Sequence, residues 1–226
     1  MKQQLWVRGC LVALCLAAAA ARADEIDCGS LQNAYGPYDY TNAEHRRDRI
    51  PIVEQGHFNT DVETLRKGIS DIHIIGDLDY TLRAVPNHHR ALATVSRFYL
   101  NGGHQGVYRS AECYFDRAMR FAPNDGDVYL LFGVYLHQRK KYDDAEKQYQ
   151  RALELLENSA DAHYDIALLY ADMGRWDEAK REAIRAYQLG YPLEGLKNRL
   201  RRHGSWSKTD DLSLAVADSP QEAPPQ

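Results

Sequence analysis

Small and apolar residues recur at a constant spacing in the second half of the chain, and this repeat constrains the fold more than any other feature. At an offset of 34 residues, segment 126–159 aligns with segment 160–192, and the sequence YDDAE at 142–146 falls on WDEAK at 176–180. The alanines that recur at this offset are Ala111, Ala118, Ala145, Ala152, Ala179 and Ala186. Periods of this length are typical of repeat proteins, whose units stack on one another.

Each unit has the pattern of two amphipathic helices joined by a short turn, because its apolar residues are spaced three and four apart. Small residues such as Gly133 and Ala145 let the two helices approach closely, and the larger Phe132 and Tyr149 fill the remaining space. One pair of helices cannot bury its apolar face alone, so the units must stack. The pattern therefore predicts an all-α array of helix-turn-helix hairpins.

This pattern resembles the tetratricopeptide repeat (TPR) family over residues 87–192, as three tandem units. The first unit departs from the usual pattern, since Ala93 and Thr94 stand where the family has Leu-Gly. The resemblance implies a right-handed superhelical array whose first helices line a concave groove. It also implies a protein-binding function without catalysis.

The first 23 residues have the organisation of a cleavable signal peptide. Lys2 and Arg8 precede an uncharged apolar run at 10–20, and Ala21-Arg22-Ala23 offers a cleavage site. The run is shorter than the roughly 20 residues that span a bilayer, which disfavours the alternative of an uncleaved anchor. We therefore expect export, to the periplasm in a Gram-negative cell or otherwise into the medium. The net charge of -4 argues against a nucleic-acid partner.

Cleavage after Ala23 would leave two cysteines, Cys28 and Cys113, in an oxidising compartment. We expect them to form a disulfide that closes a loop of about 85 residues; the alternative is two separate thiols. In the resembled family, the position of Cys113 points away from the concave groove. The bond would then hold the N-terminal arm against the outside of the array.

The segment 24–86 is expected to contain an aromatic arm at 28–40, a charged stretch at 44–49 and a degenerate helical hairpin. One helix is predicted at 59–68, capped by Asn59 or Thr60, with Val62, Leu65 and Ile69 on one side. A second is predicted at 77–85, with Leu78 and Leu82 inward and the carboxylates of Asp77 and Asp79 near its start, where they suit a cap.

The chain after the repeats is expected to end the array. A capping helix is predicted within 193–206, with Leu193, Leu196 and Leu200 on one face and basic residues around it. Residues 207–226 carry no hydrophobic pattern and are predicted to be disordered.

No motif assigns an enzymatic site, a metal site or a cofactor. The 9 histidines do not pair at helical spacing on a predicted helix, and Gly-x-Ser-x-Gly and P-loop motifs are absent from the sequence. We therefore expect no catalytic residues, no cofactor and no metal. The alternative is a ligand- or metal-binding periplasmic accessory protein that uses the histidines of the N-terminal segment.

The predicted groove is apolar and aromatic at one end and acidic at the other, so a peptide or helix with an apolar face and a basic flank would suit it. This favours an exported scaffold or adaptor in cell-envelope assembly or maintenance. In the alternative case, the N-terminal arm or self-association covers the apolar residues. The predicted groove residues are Leu92, Val95, Tyr99, Asp127, Leu130, Leu131, Val134, His137, Asp161, Tyr164, Asp165, Leu168 and Asp172.

Overall fold

Helices are the regular elements of the described chain. The computed structural model describes residues 27–69, 73–104 and 106–217, so the predicted signal peptide lies outside the described residues. The helices are α1 (Ala43–Asp48), α2 (Ile50–His57), α3 (Thr60–Glu63), α4 (Ile74–Ala84), α5 (His89–Leu100), α6 (Ala111–Phe121), α7 (Gly126–Gln138), α8 (Tyr142–Leu155), α9 (Ala160–Asp172), α10 (Trp176–Gln188), α11 (Gly195–His203) and α12 (Lys208–Ala217). The predicted all-α class is confirmed. No helix among the described residues has the length and apolarity of a membrane span.

Three hairpins form in the repeat region, pairing α5 with α6, α7 with α8 and α9 with α10. Their helices approach closely where the residues are small. A Cβ atom added at Gly133 on α7 would lie 2.6 Å from Cδ1 of Tyr149 on α8. On the second helices, Ala145 and Ala179 are completely buried. The small residues at the repeat offset are therefore the contact points between helices, as the sequence indicates.

The turns inside the second and third hairpins have the same backbone path. Lys140 has φ 60° and Gly174, at the equivalent repeat position, has φ 74°. In each turn, the amide of this residue donates to a carbonyl three residues back, and the next amide donates five residues back. This is the Schellman arrangement, which ends a helix through one left-handed residue. Lysine adopts that conformation at a cost that glycine does not pay.

The hairpin before the repeats is built differently from the prediction. Helix α4 packs against both α5 and α2, and α2 forms in a stretch for which no helix was predicted. The helix predicted at 59–68 is reduced to α3, because Leu65 takes φ 57° and ends it. Asn59 caps α3 as predicted, since its side chain accepts from the amides of Asp61 and Val62.

Helix α4 begins at Ile74, so Asp77 and Asp79 lie inside the helix and are buried; the prediction that they cap it was wrong. The Asp77 carboxylate accepts from the amide of Ile69 at 2.7 Å and lies 3.0 Å from Nδ1 of His57. A buried charge must be paired. Asp77 and Asp79 find their partners in other segments of the chain and so join those segments to α4.

The N-terminal arm, Cys28–Tyr40, is fastened mainly to α6, the second helix of the first TPR unit, and to the loop that precedes it. A disulfide joins Cys28 to Cys113 on α6, with a Cα–Cα distance of 5.0 Å, so the predicted bond is present. Guanidinium groups also donate to carbonyls of the arm: Arg109 to Cys28, Arg117 to Ser30 and Arg120 to Gly29. Further along, the amide of Tyr38 donates to the carbonyl of Ala84 at the end of α4.

The C-terminal part differs from the prediction in two places. Leu196 and Leu200 of α11 are buried as expected, but Leu193 precedes the helix and is 59% exposed. Residues 208–217, expected to be disordered, form α12, which packs on α10. The side chain of Asp210 caps the start of this helix, since the amide of Ser207 donates to its carboxylate at 2.7 Å.

Candidate protein-binding groove

The first helices of the second and third units present the same three positions on one side. The 34-residue offset relates Asp127 to Asp161 at the first position, which is exposed in both helices. The second and third positions are half-buried in both. We call these six residues the inner strip: Asp127, Leu131 and Val134 on α7, and Asp161, Asp165 and Leu168 on α9. The family resemblance assigns this side of the first helices to the concave face.

The first unit has a different register from the predicted one. The N-caps of α5 and α7 are His88 and Asp125, which lie 37 residues apart, as do Pro86 and Pro123. The positions equivalent to Asp127, Leu131 and Val134 are therefore Arg90, Thr94 and Arg97. The predicted residues Leu92, Val95 and Tyr99 lie two, one and two residues further along the chain. The spacing of the two prolines was the signal that carried the correct register.

Two residues predicted for the groove, Leu92 and Val95, are completely buried, and that part of the prediction is wrong. They lie on the core side of α5, which α4 covers. Tyr99 is half-buried, and its hydroxyl donates to the carbonyl of Arg109 at 2.6 Å. Burial, followed by the charge of Asp79, raises the pKa of Tyr99 to about 12.

The inner side of the first unit is covered by α3. The Arg90 guanidinium forms an ion pair with the Glu63 carboxylate, its Nε donating at 2.8 Å. The Glu63 carbonyl accepts from Arg97 at 2.7 Å and from the hydroxyl of Thr94 at 3.4 Å. The segment that covers the first unit is therefore α3 and not the N-terminal arm. Among the described residues, α3 makes no such contact with the inner strip of α7 and α9.

The remaining predicted residues connect adjacent helices. Leu130 and its repeat equivalent Tyr164 are only 8% and 6% exposed, so neither offers much surface to a partner. The Tyr164 hydroxyl accepts from the amide of Leu196 at 3.2 Å. Nε2 of His137 lies 2.9 Å from Oδ2 of Asp172, which joins α7 to α9.

The acidic end of the inner strip is electrostatically unusual. Asp161 and Asp165 lie one helical turn apart, where like charges repel. Among the described residues, neither carboxylate has a hydrogen-bond or ion-pair partner. Burial and the nearby charge of Asp161 raise the pKa of Asp165 to about 7. Tyr191, which stacks on Tyr164 with ring centroids 3.8 Å apart, closes this end of the strip.

Residues 133–174, from the middle of α7 to the turn after α9, match the family model for the TPR repeat. The chain carries tetratricopeptide repeats. Repeat arrays of this kind use extended concave surfaces to bind proteins, and the fold supports a protein-interaction scaffold.

Two solved structures of MamA resemble the TPR array. One, described as "MamA MSR-1 C2", is 18% identical, covers 65% of this chain and 95% of its own, and aligns with a TM-score of 0.42. The other, described as "Crystal structure of MamA protein", is 20% identical, covers 78% of this chain and 97% of its own, with a TM-score of 0.45. No curated protein matches the sequence.

A histidine–carboxylate cluster joins the first two TPR units. Nε2 of His89 lies 2.8 Å from Oδ2 of Asp125, and its Nδ1 lies 3.8 Å from Oδ2 of Asp127. The side-chain amide of Asn87 also donates to the carboxylate of Asp125 at 2.8 Å. This donor set is of the type that binds transition metals. In this structure, however, both ring nitrogens of His89 face carboxylates directly. These contacts between side chains link α5 to α7.

Helix α11 lies beyond the last TPR unit, and three of its basic residues are paired with acids, whereas Arg202 is exposed. Arg199 donates to the carboxylate of Asp172 at 2.6 Å, and Lys197 lies 2.7 Å from a carboxylate oxygen of Glu194. Arg201 forms a salt bridge with Asp211 at 2.9 Å. These three pairs neutralise most of the positive charge of α11.

A separate pocket of about 540 Å³ lies between α4, α5 and the loop that precedes α6. Its surface is mainly apolar, with Phe98 and Tyr108 among the lining residues. Lys67, His73 and His104 supply its polar groups. Two imidazoles and an ammonium group at an apolar pocket suit a small apolar molecule that carries an acidic group.

Proposed function

We propose that this protein is an exported TPR scaffold that binds a protein partner through the inner strip of α7 and α9 and serves cell-envelope assembly or maintenance. The observation that carries the proposal is the contrast between units. Helix α3 covers the inner side of the first unit, whereas Leu131, Val134 and Leu168 remain half-buried at the surface of the next two. Apolar groups in this state gain contact area from a partner.

The strip is suited to binding without catalysis. It offers apolar side chains on α7 and carboxylates at the start of α9, held on rigid helices. A helix or extended segment with an apolar face and a basic flank would match this order. The expected export supports a partner in the envelope, since the sequence pattern of residues 1–23 is that of a signal peptide.

A crosslinking pull-down from the native envelope fraction tests the proposal. The test variant combines Leu131→Glu with Leu168→Glu, which places two charges on the inner strip. The matched control combines Val107→Glu with Leu193→Glu, since both residues are exposed and lie off the strip. We expect the partner to be lost with the test variant and kept with the control. Partner capture that survives in the test variant, with helicity unchanged by circular dichroism, would contradict the proposal.

Cell fractionation and N-terminal sequencing test the location. We expect the purified chain to begin at Asp24 and to occur in the periplasmic fraction. A chain that retains Met1 and stays in the cytoplasm would contradict an envelope role.

A second candidate function is the binding of a small ligand in the pocket beside Phe98, which is the observation that favours it. Native mass spectrometry of the purified protein would detect a retained molecule. We expect Phe98→Ala to release it and Leu193→Ala, at a distant exposed site, to retain it. A spectrum of ligand-free protein from its native source would remove this candidate.

A further inference from the structure

The carboxylates of Asp161 and Asp165 form a destabilising arrangement on the inner strip. They lie one turn apart on α9, and Asp165 is half-buried. A half-buried charge without a partner costs free energy, and the neighbouring like charge adds to that cost. Described cations nearby are engaged elsewhere: Arg199 is paired with Asp172, and Lys197 with Glu194.

A buried phenol adds an independent observation at the same place. Tyr149 on α8 is only 1% exposed, and its hydroxyl has no hydrogen-bond partner among the described residues. Its ring lies against Gly133 of α7, beside Val134 of the inner strip, and burial followed by the charge of Asp165 raises the pKa of this phenol. A buried hydroxyl normally has a partner. The floor of the strip therefore offers a hydroxyl group near two carboxylates that have no partner among the described residues.

Apolar groups border this polar spot. Leu131, at the repeat equivalent of Asp165, and Leu168, one turn beyond it, are both half-buried. If a side chain of the partner brings a cation to these carboxylates, the residues on either side of it in the partner would contact apolar surface. Guanidinium supplies five donors in a plane and can bridge two carboxylates, which a single ammonium group does less well.

We propose that Asp161 and Asp165 form a subsite for one arginine side chain of the bound partner, with apolar partner residues on either side of it. The inference rests on the proposed function, because the partner segment lies along the same inner strip. Charge complementarity identifies the occupant, because neither carboxylate has a cationic partner among the described residues and a partner's cation would supply one.

NMR titration of the full mature chain with two capped tripeptides tests the subsite. The probes are acetyl-Leu-Arg-Leu-amide and acetyl-Leu-citrulline-Leu-amide, which have nearly the same shape and differ by one charge. We expect the arginine peptide to shift the Asp165 carboxyl resonance and to lower the pKa of that group. The dissociation constant of the citrulline peptide should be at least tenfold higher.

Variants with matched charge changes complete the test. Asp165→Asn and Asp161→Asn should each reduce the preference for arginine at least threefold. Asp143→Asn removes the same charge from the exposed first turn of α8 and should leave the preference unchanged. Equal binding of the two peptides, no shift with either, or an unchanged preference in Asp165→Asn would overturn the proposal. The same shift produced by millimolar CaCl₂ alone would also overturn it and assign the pair to a metal ion.

The two proposals fail separately. Loss of the crosslinked partner in the Leu131→Glu and Leu168→Glu variant, together with equal tripeptide binding, would retain the groove and remove the arginine subsite. A retained partner, together with arginine-selective binding, would retain the subsite and remove the partner from the strip.

Discussion

The backbone carbonyl of Glu63 accepts a hydrogen bond of 2.7 Å from the Arg97 guanidinium. This contact, with the ion pair between Glu63 and Arg90, holds α3 against the inner side of the first unit. The chain thus covers one third of the inner face of its own TPR array. The uncovered part is limited to α7 and α9, which defines where a partner has access.

Loss of these arginines should release α3. We expect Arg90→Ala with Arg97→Ala to accelerate amide exchange in residues 60–69 at least tenfold, because local opening then breaks fewer contacts. Exchange in α7 and α9 should change little. Hydrogen exchange measured by mass spectrometry gives both values. The matched control, Arg181→Ala with Arg202→Ala, alters two exposed guanidinium groups elsewhere. Similar exchange of residues 60–69 in both variants would contradict this role for Glu63.

Removal of the disulfide should destabilise the fold through the arm. The bond between Cys28 and Cys113 closes a loop with a sequence separation of 85. In the chain-entropy model we expect Cys28→Ser with Cys113→Ser to lower the free energy of unfolding by about 2–4 kcal/mol. Urea denaturation measures this change. Labelling of both thiols in the denatured but unreduced protein would show that the bond is absent.

A glycine at position 140 should stabilise the turn after α7. Lys140 occupies the left-handed conformation that Gly174 occupies in the next unit. We expect Lys140→Gly to raise the free energy of unfolding by about 0.5–1 kcal/mol, because glycine takes a positive φ without steric cost. The converse substitution, Gly174→Ala, should lower it by about 1 kcal/mol. Thermal denaturation of the two variants checks the opposite signs.

The buried Asp165 carboxyl should make stability depend on pH. Its pKa is about 7 in the folded protein and about 4 in an unfolded chain. The folded state therefore binds more protons between these values, and stability falls as pH rises from about 4 to about 7. Asp165→Asn removes this contribution, so the variant should gain about 1–3 kcal/mol relative to the wild type between pH 4 and pH 8. Urea denaturation at several pH values, with Asp143→Asn as control, measures the difference. A stability difference between Asp165→Asn and wild type that stays constant with pH would show that the carboxyl ionises normally.

Much of the array could be predicted from local pattern. The hairpins follow from alanines at a constant offset, because small residues mark close helix contacts wherever they recur. Asn59 as a cap follows from its short polar side chain, and the pairing of Cys28 with Cys113 follows from their being the two cysteines outside the predicted signal peptide. The ends of predicted elements were less accurate, since Leu65 shortens α3 through its backbone conformation.

The groove was predictable only in part. In the second and third units, Leu131 and Leu168, which were predicted for the groove, are half-buried, and their place in a binding groove stays a prediction. In the first unit, the longer loop after α5 obscured the register, and Leu92 and Val95 were assigned to the wrong side. The charged residues of α3 gave no local indication that they would contact α5.

The sequence by itself determined the helical class, the repeat period and which residues share a helix face, because these depend on spacing along the chain. The tertiary structure decided which faces stay accessible. It placed Glu63 over Arg97, buried Asp77 and Asp79 among distant partners, and left Asp165 without a partner in the part of the chain that the structure describes. Spacing specifies a face, whereas its cover comes from segments far away in sequence, whose position depends on the packing of the whole chain.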